Sequence, residues 1–310
     1  MSKIGFLFPG QGSQFTGMGR DFAEAFGWAE RLYGSAQSLL GFDLADVCFN
    51  GPEETLRQTR FTQPALVVHS AIAGRLLRDK GIGPSAAAGH SLGEFSALIA
   101  AGVFSFESGL ELVRERSRLM SEIGTKRPGV MAAVIGLASE DVKSVCEEVE
   151  SSGAGLVRPA NLNSPDQTVI SGSKEGVAKA SEIARTKGAK RVLELAVSGA
   201  FHSPLVAEAA GEFEKLLLKT AFQEPGFPVY ANVSASPETD AETVRGLLSK
   251  QMTHPVRWIE TVRNMIGDGI TTFYEVGPGR VLAGLVKRID KSVEVIPCGT
   301  VAEISAIQSN

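Results

Sequence analysis

A serine between two glycines is the feature of this sequence that most directly suggests chemistry. The spacing Gly89-x-Ser91-x-Gly93 is that of a nucleophile elbow, in which the serine occupies a sharp turn between a strand and a helix. The glycines let neighbouring backbones approach closely, and the start of the following helix offers unpaired N–H groups to a developing oxyanion. The spacing indicates acyl chemistry at Ser91, although a plain turn can carry the same residues.

The base that would activate this serine must come from four histidines, since a serine hydroxyl is a poor nucleophile without one. His69 falls in an apolar helical stretch typical of a buried core, and His254 precedes a proline. His90 adjoins Ser91, but successive residues point in different directions, so it is expected to line the pocket or support the turn. His202 lies on a glycine-containing hinge, where functional side chains concentrate, and this favours it over the other three.

Three arginines, Arg114, Arg116 and Arg118, share one predicted helix, Gly109–Met120. Alternate positions on a helix point in different directions, so at most one or two of them face inward and the rest lie on a solvated surface. A guanidinium that faced the site would hold a substrate carboxylate through two parallel hydrogen bonds.

Strands separated by helices surround these residues, which predicts an α/β fold with a mainly parallel sheet. The predicted strands are Lys3–Phe8, Ser85–Gly89 and Thr272–Val276. The predicted helices are Gln63–Leu77, Leu92–Ala101, Gly109–Met120, a segment around His202–Lys219, Val256–Gly267 and a final helix after Gly279.

Between Gly129 and Leu195 the order of elements changes to strand-helix-strand-strand-helix-strand, the ferredoxin-like split unit. Its predicted elements are Val130–Ile135, Glu140–Glu150, Leu156–Leu162, Gln167–Ser171, Lys174–Lys187 and Arg191–Leu195. Hinge-like segments flank it, which predicts a small subdomain at 127–197 inserted between the two parts of a large one, 1–126 and 198–310.

Composition excludes several classes of partner. The chain has 310 residues, 43% of them hydrophobic, and a formal net charge of −4, so neither nucleic-acid nor membrane binding is expected. The three cysteines, Cys48, Cys146 and Cys298, have neither disulfide nor zinc spacing, which suits a reducing cytoplasm and predicts no metal. No signal peptide or bilayer-spanning stretch is expected.

Seven segments in the same order, spread over nearly the whole chain, resemble the malonyl-CoA:acyl-carrier-protein transacylases of type II fatty acid synthesis. They are Phe8–Gln14, Gly89–Glu94, Arg116 with Met120, Asn161–Pro165, Gly199–His202, Gln251–Trp258 and Glu275–Gly279. The resemblance implies an α/β-hydrolase-like large subdomain and a ferredoxin-like small one.

The resemblance also implies roles for individual residues. Ser91 would be the nucleophile, His202 the general base and acid, and the backbone carbonyl of Gln251 would orient His202. The N–H groups of Gln11 and Leu92 would form the oxyanion hole, and Arg116 would bind the malonyl carboxylate. The further substrate contacts would be Met120, His90, Asn161 and Phe201. A Ser–His pair without an acidic third member departs from hydrolase triads. Phe directly before the histidine resembles the malonyl type rather than the methylmalonyl type.

The implied reaction moves malonyl from CoA to Ser91 and then to the phosphopantetheine thiol of acyl carrier protein, with ping-pong kinetics and no metal or other cofactor. A cytoplasmic monomer fits the family. Carrier proteins are acidic, so the basic residues Lys187, Lys190 and Arg191 are a hypothetical docking site, with a solvated surface as the simpler interpretation.

Three other interpretations remain open at this stage. A serine hydrolase, such as a thioesterase, or a trans-acting polyketide acyltransferase would share the elbow. Hydrolases of that fold place an acid between the serine and the histidine, but the acids between Ser91 and His202 fall mostly on predicted helices of the inserted subdomain. In the third interpretation the chain is a non-catalytic carrier-protein binding module and Ser91 is only a turn residue.

Overall fold

A computed structural model describes residues 3–308 and confirms an α/β fold, built on two separate sheets. Within that range the strands are β1 Lys3–Phe8, β2 Ala86–Gly89, β3 Val130–Ile135, β4 Val157–Ser164, β5 Gln167–Gly172, β6 Arg191–Glu194, β7 Val229–Tyr230, β8 Pro237–Glu238, β9 Ile270–Glu275 and β10 Glu294–Pro297.

Helices fill most of the chain between these strands. Within the described range they are α1 Arg20–Ala25, α2 Gly27–Leu40, α3 Leu44–Phe49, α4 Glu53–Leu56, α5 Thr59–Asp79, α6 Gly93–Ala100, α7 Phe106–Lys126, α8 Ser139–Ser151, α9 Lys174–Thr186, α10 Ala207–Leu217, α11 Ala241–Lys250, α12 Trp258–Gly267, α13 Val281–Ile289 and α14 Val301–Ala306. Two short 3₁₀ helices, Pro204–Val206 and Gln251–Thr253, precede α10 and follow α11. Among residues 3–308, none of the helices has the length and apolar character needed to cross a membrane.

The larger sheet has the strand order β10-β9-β1-β2-β7-β8 and is parallel except for the last pair. Its central strand β1 is a continuous apolar run because both faces are covered. Phe6 and Phe8 pack into one core with α5, α6 and α7, whereas Leu7 packs into a second core with α12 and α13. The centre of the sheet is thereby fixed from both sides, and β1 and β2 end side by side at one edge.

The smaller sheet is antiparallel, with the order β4-β5-β3-β6 that a ferredoxin-like unit adopts. Alternate residues of β3 pack into two different hydrophobic cores. Ala132 and Val134 pack under α8 and α9, whereas Met131 and Ala133 belong to the core of the larger sheet. This sheet therefore packs against the core that β1 shares with α5, α6 and α7. The boundaries 127 and 197 of the small subdomain remain a prediction.

The structure differs from the sequence-based prediction in the last third of the chain. A helix was expected around His202–Lys219, but α10 begins at Ala207, and His202 lies before it on a turn with a φ of 57°. The helix after Gly279 is not the final element, because β10 and α14 follow it. Strands β7 and β8 have two residues each, too few for a periodic pattern to reveal.

Candidate active site

Ser91 lies on a tight turn between β2 and α6, at the carboxyl end of a central strand. Its φ of 49° is in the left-handed region, which a non-glycine residue adopts at a cost in strain. Close packing requires the flanking glycines. A Cβ on Gly89 would lie 1.9 Å from the Gly93 carbonyl carbon, and one on Gly93 would lie 2.0 Å from the Phe8 carbonyl oxygen. The glycine spacing thus produces the strained elbow predicted from it.

Asn232, which the sequence did not suggest, holds this turn in place. Its Oδ1 accepts a hydrogen bond of 2.7 Å from the Ser91 N–H, and its Nδ2 donates one of 2.7 Å to the Gly89 carbonyl oxygen. The side chain is buried and follows β7, which pairs with β2. Because both polar ends of the amide are used, Asn232 stabilises the elbow in its strained conformation.

His202 is the histidine that contacts the nucleophile. Its Nε2 lies 2.8 Å from the Ser91 Oγ, and its Nδ1 lies 2.9 Å from the Gln251 carbonyl oxygen and 3.0 Å from the His254 carbonyl oxygen. A carbonyl oxygen only accepts, so Nδ1 must carry the proton and Nε2 presents its lone pair to the serine hydroxyl. This is the tautomer that a general base requires.

Burial, together with the nearby positive charge of Arg116, lowers the pKa of His202 to about 3. The imidazole is therefore neutral at physiological pH, ready to accept a proton from Ser91. No carboxylate among residues 3–308 hydrogen-bonds to His202, so two backbone carbonyls occupy the place of a triad acid.

Arg116 is the arginine of α7 that faces inward. Its side chain is fully buried, and its Nη2 donates to the Ser91 Oγ at 3.1 Å and to the Gln251 Oε1 at 2.9 Å. Its Nη1 donates to the Gln63 Oε1 at 2.8 Å. Burial lowers the pKa of Arg116 to about 10, which still leaves it charged at neutral pH. A cation next to the nucleophile suits a substrate with a negative charge near its reacting carbon.

The other two arginines of this helix lie on its outer surface, as expected for a solvated face. Arg114 donates to the Leu39 carbonyl oxygen at 2.6 Å, and Arg118 pairs with Glu115 and Glu122. Neither lines the cavity at Ser91.

A cavity of about 90 Å³ opens at the Ser91 hydroxyl. It brings together most of the residues that the sequence singled out. Its lining consists of Gln11, Gln63, His90, Ser91, Leu92, Met120, Met131, Asn161, Leu195, Val197, Phe201 and His202. Leu195 and Val197 follow the antiparallel sheet, so both parts of the fold contribute walls.

The two residues whose N–H groups are expected to hold an oxyanion both line this cavity. Leu92 immediately precedes α6, and Gln11 lies on the turn after β1. Among residues 3–308, neither the Leu92 N–H nor the Gln11 N–H has a hydrogen-bond acceptor. Both groups are therefore free to donate to an oxygen bound beside Ser91.

The side chains of the remaining histidines make no hydrogen bond to Ser91, and of the three only His90 lines the cavity. The His90 Nε2 lies 2.8 Å from the Asn163 Oδ1, and its ring packs 5.3 Å from that of Trp258, measured between centroids. His69 is buried in α5 against Phe22, and burial lowers its pKa to about 3. The His254 ring contacts its own turn, but its carbonyl oxygen supports His202, a role that the sequence did not indicate.

Three further polar side chains support the site without having been predicted: Gln63, Glu94 and Asn163. Gln63 and Glu94 lie on helices whose apolar composition predicts core positions. A buried polar residue in such a helix needs a partner, and this is the signal that could have marked them.

The fold and the Ser91–His202 pair define a serine acyltransferase. The chain belongs to the acyl transferase domain family, whose model matches residues 5–305. It is 44% identical over 296 residues to the malonyl CoA-acyl carrier protein transacylase of Bacillus subtilis. The aligned residues cover 96% of this chain and 93% of that protein.

Solved structures agree with this membership. The malonyl CoA-acyl carrier protein transacylase of Coxiella burnetii is 40% identical and superposes with a TM-score of 0.94 over 98% of this chain and 96% of that one. A malonyl-transacylase in complex with its type II polyketide synthase acyl-carrier protein is 42% identical, with a TM-score of 0.94 over 98% of both chains.

Proposed function

We propose that this protein transfers the malonyl group from malonyl-CoA to the phosphopantetheine thiol of acyl carrier protein, through a malonyl-Ser91 intermediate, and so supplies extender units for fatty acid biosynthesis. The observation that carries the proposal is the position of Arg116, a fully buried cation whose Nη2 lies 3.1 Å from the Ser91 Oγ. Malonyl differs from acetyl by a carboxylate, which this guanidinium would recognise.

In the first half-reaction, the Ser91 Oγ attacks the thioester carbonyl carbon while its proton passes to the His202 Nε2. The carbonyl oxygen becomes an oxyanion, which the N–H groups of Leu92 and Gln11 would stabilise. The carbonyls of Gln251 and His254 offset the charge of the imidazolium. Collapse of the intermediate breaks the carbon–sulfur bond, and the leaving CoA thiolate takes the proton from His202.

In the second half-reaction, the carrier's thiol gives its proton to His202 and its sulfur attacks the malonyl-serine ester. The ester oxygen leaves and recovers the proton from His202, which regenerates Ser91. One serine and one histidine thus serve both steps, so the reaction needs no metal or other cofactor.

The acyl hydrolase alternative would use the same pair of side chains. The hydrogen bonds of His202 do not favour it, because they end on backbone carbonyls rather than on an acid. A polyketide carrier as acceptor is the remaining alternative, since one similar structure is a transacylase bound to such a carrier. We further propose a cytoplasmic monomer, which fits the three free, buried cysteines and an active site formed by a single chain.

Loading of Ser91 tests the proposal directly. After mixing with malonyl-CoA, intact mass spectrometry should find one malonyl group on the native protein. Addition of phosphopantetheinylated carrier protein should remove that group and return it as malonyl-carrier. A protein that gains no malonyl group would refute the proposal, and release of free malonate instead of malonyl-carrier would favour the hydrolase.

For the carrier we propose docking at the basic residues before and at the start of β6. Lys187 forms an ion pair of 2.9 Å with Glu148, which leaves exposed Lys190 and Arg191 as the stronger attraction for an acidic partner. From Arg191 the chain runs through β6 to Leu195 at the cavity, about 13 Å for four extended residues. A flexible thiol arm can span that distance.

Charge reversal tests this docking site. The variant Lys190→Glu with Arg191→Glu should raise the KM for carrier protein by about tenfold at low salt, because rim charges steer association, while loading from malonyl-CoA stays unchanged. Lys219→Glu, an exposed lysine outside the basic stretch, serves as control. An unchanged KM in the double variant would place the docking site elsewhere.

A further inference from the structure

The side chain of Gln251 links three parts of the active site. Its Nε2 donates to the Ser91 carbonyl oxygen at 2.9 Å and to the Glu94 Oε2 at 2.8 Å, while its Oε1 accepts from the Arg116 Nη2 at 2.9 Å. Both amide hydrogens and the amide oxygen are therefore in use. Reversing the amide would set its oxygen against two acceptors and its NH₂ group against a guanidinium donor.

The carboxyl group of Glu94 is one of the two acceptors that fix this orientation. It lies on the first turn of α6, three residues after Ser91, and is 3% exposed. Its Oε2 also accepts from the backbone N–H of Asn232 at 3.2 Å. The carboxylate thus joins the two residues, Gln251 and Asn232, that hold the elbow from distant parts of the chain.

Glu94 also interacts electrostatically with Arg116 without touching it. Among residues 3–308, no carboxylate lies within ion-pair distance of Arg116, although its guanidinium is fully buried. Burial raises the pKa of Glu94 more than the hydrogen bonds from Gln251 and Asn232 and the charge of Arg116 lower it, which leaves it at about 7. A direct pair would occupy the guanidinium edge that a substrate carboxylate needs.

We infer that Glu94 is a positioning residue for acyl-group selection. By fixing the amide of Gln251, it orients the Arg116 guanidinium toward the place beside Ser91 where the substrate carboxylate binds. This inference rests on the proposed malonyl transfer. Glu94 acts through two hydrogen bonds, one that Gln251 donates to Glu94 and one that Arg116 donates to Gln251, and touches no reacting atom. Its effect should therefore appear in the preference for malonyl over acetyl groups.

The test measures the ratio of the second-order rate constants for loading from malonyl-CoA and from acetyl-CoA. Glu94→Ala should lower this ratio by about tenfold or more. The Gln251 NH₂ group then loses this acceptor, so the Gln251 amide no longer holds the Arg116 guanidinium in its orientation. Glu94→Gln should keep the ratio within about threefold of the native value, because its amide oxygen can accept the same hydrogen bonds. A merely structural role would lower stability without changing the ratio.

Two further variants keep the test decisive if Glu94→Ala folds poorly. Gln251→Ala removes the amide but retains the backbone carbonyl that holds His202, and it should lower the ratio to the same extent. In an Arg116→Ala background, Glu94→Ala should change the ratio no further, because both substitutions remove the same selection.

An unchanged ratio in folded Glu94→Ala, or equal losses in Glu94→Ala and Glu94→Gln, would overturn the inference. Either result is distinct from failure of the proposed function, in which the native protein itself would not take up malonyl.

Discussion

Replacing Ser91 by alanine is expected to abolish the malonyl-enzyme and to lower the rate of transfer by at least about 10⁴-fold. Losses of this size in the catalytic rate constant follow removal of a catalytic nucleophile. The reason is geometric. The His202 Nε2 is 2.8 Å from the Ser91 Oγ, and the free N–H groups of Leu92 and Gln11 line the same cavity. Without Oγ, these groups surround a position that holds no reacting atom. Intact mass spectrometry after incubation with malonyl-CoA measures the result.

Ser96→Ala is the matched control for this prediction. Ser96 is a buried serine of α6, the helix that follows Ser91, and does not line the cavity at Ser91, so its loss should leave the adduct in place. A malonyl adduct of undiminished yield on Ser91→Ala would show that another residue is the nucleophile.

The elbow could be predicted from sequence because its determinants are local. Gly89, Ser91 and Gly93 lie within one turn, and each glycine is required by a backbone contact with a neighbouring segment. The ferredoxin-like unit was predictable for a similar reason, since its six elements follow one another with clear periodicity between Val130 and Glu194.

The supporting side chains could not be predicted in this way. Asn232 and Gln251 reach the elbow across 141 and 160 positions of the chain. Asn232 follows a strand of two residues, so no pattern indicated that β7 pairs with β2. Only the sheet order brings that position beside Ser91. Residues alone favoured His202 only through its place on a hinge, and its role as the base depended on the family resemblance until the distances were known.

The second large effect is expected at Arg116. Arg116→Ala should lower the second-order rate constant for malonyl loading by about 10²–10³-fold, since losing one partner of a buried charge interaction costs about 2–5 kcal/mol. Loading from acetyl-CoA should fall far less, because acetyl has no carboxylate for the guanidinium to bind. The preference between the two acyl groups should therefore shift strongly toward acetyl, and parallel loading assays with both thioesters measure it.

Two other variants separate charge, geometry and folding in that result. Arg116→Lys keeps a positive charge but cannot match the fork of donors now spread over Gln63, Ser91 and Gln251, so its preference for malonyl should fall between those of the native protein and Arg116→Ala. Arg118→Ala, two residues further along the same helix, removes a surface arginine and should leave the preference unchanged.

If folded Arg116→Ala still preferred malonyl as the native protein does, the carboxylate would have to be recognised elsewhere. The buried guanidinium would then serve only the elbow and the Gln251 amide.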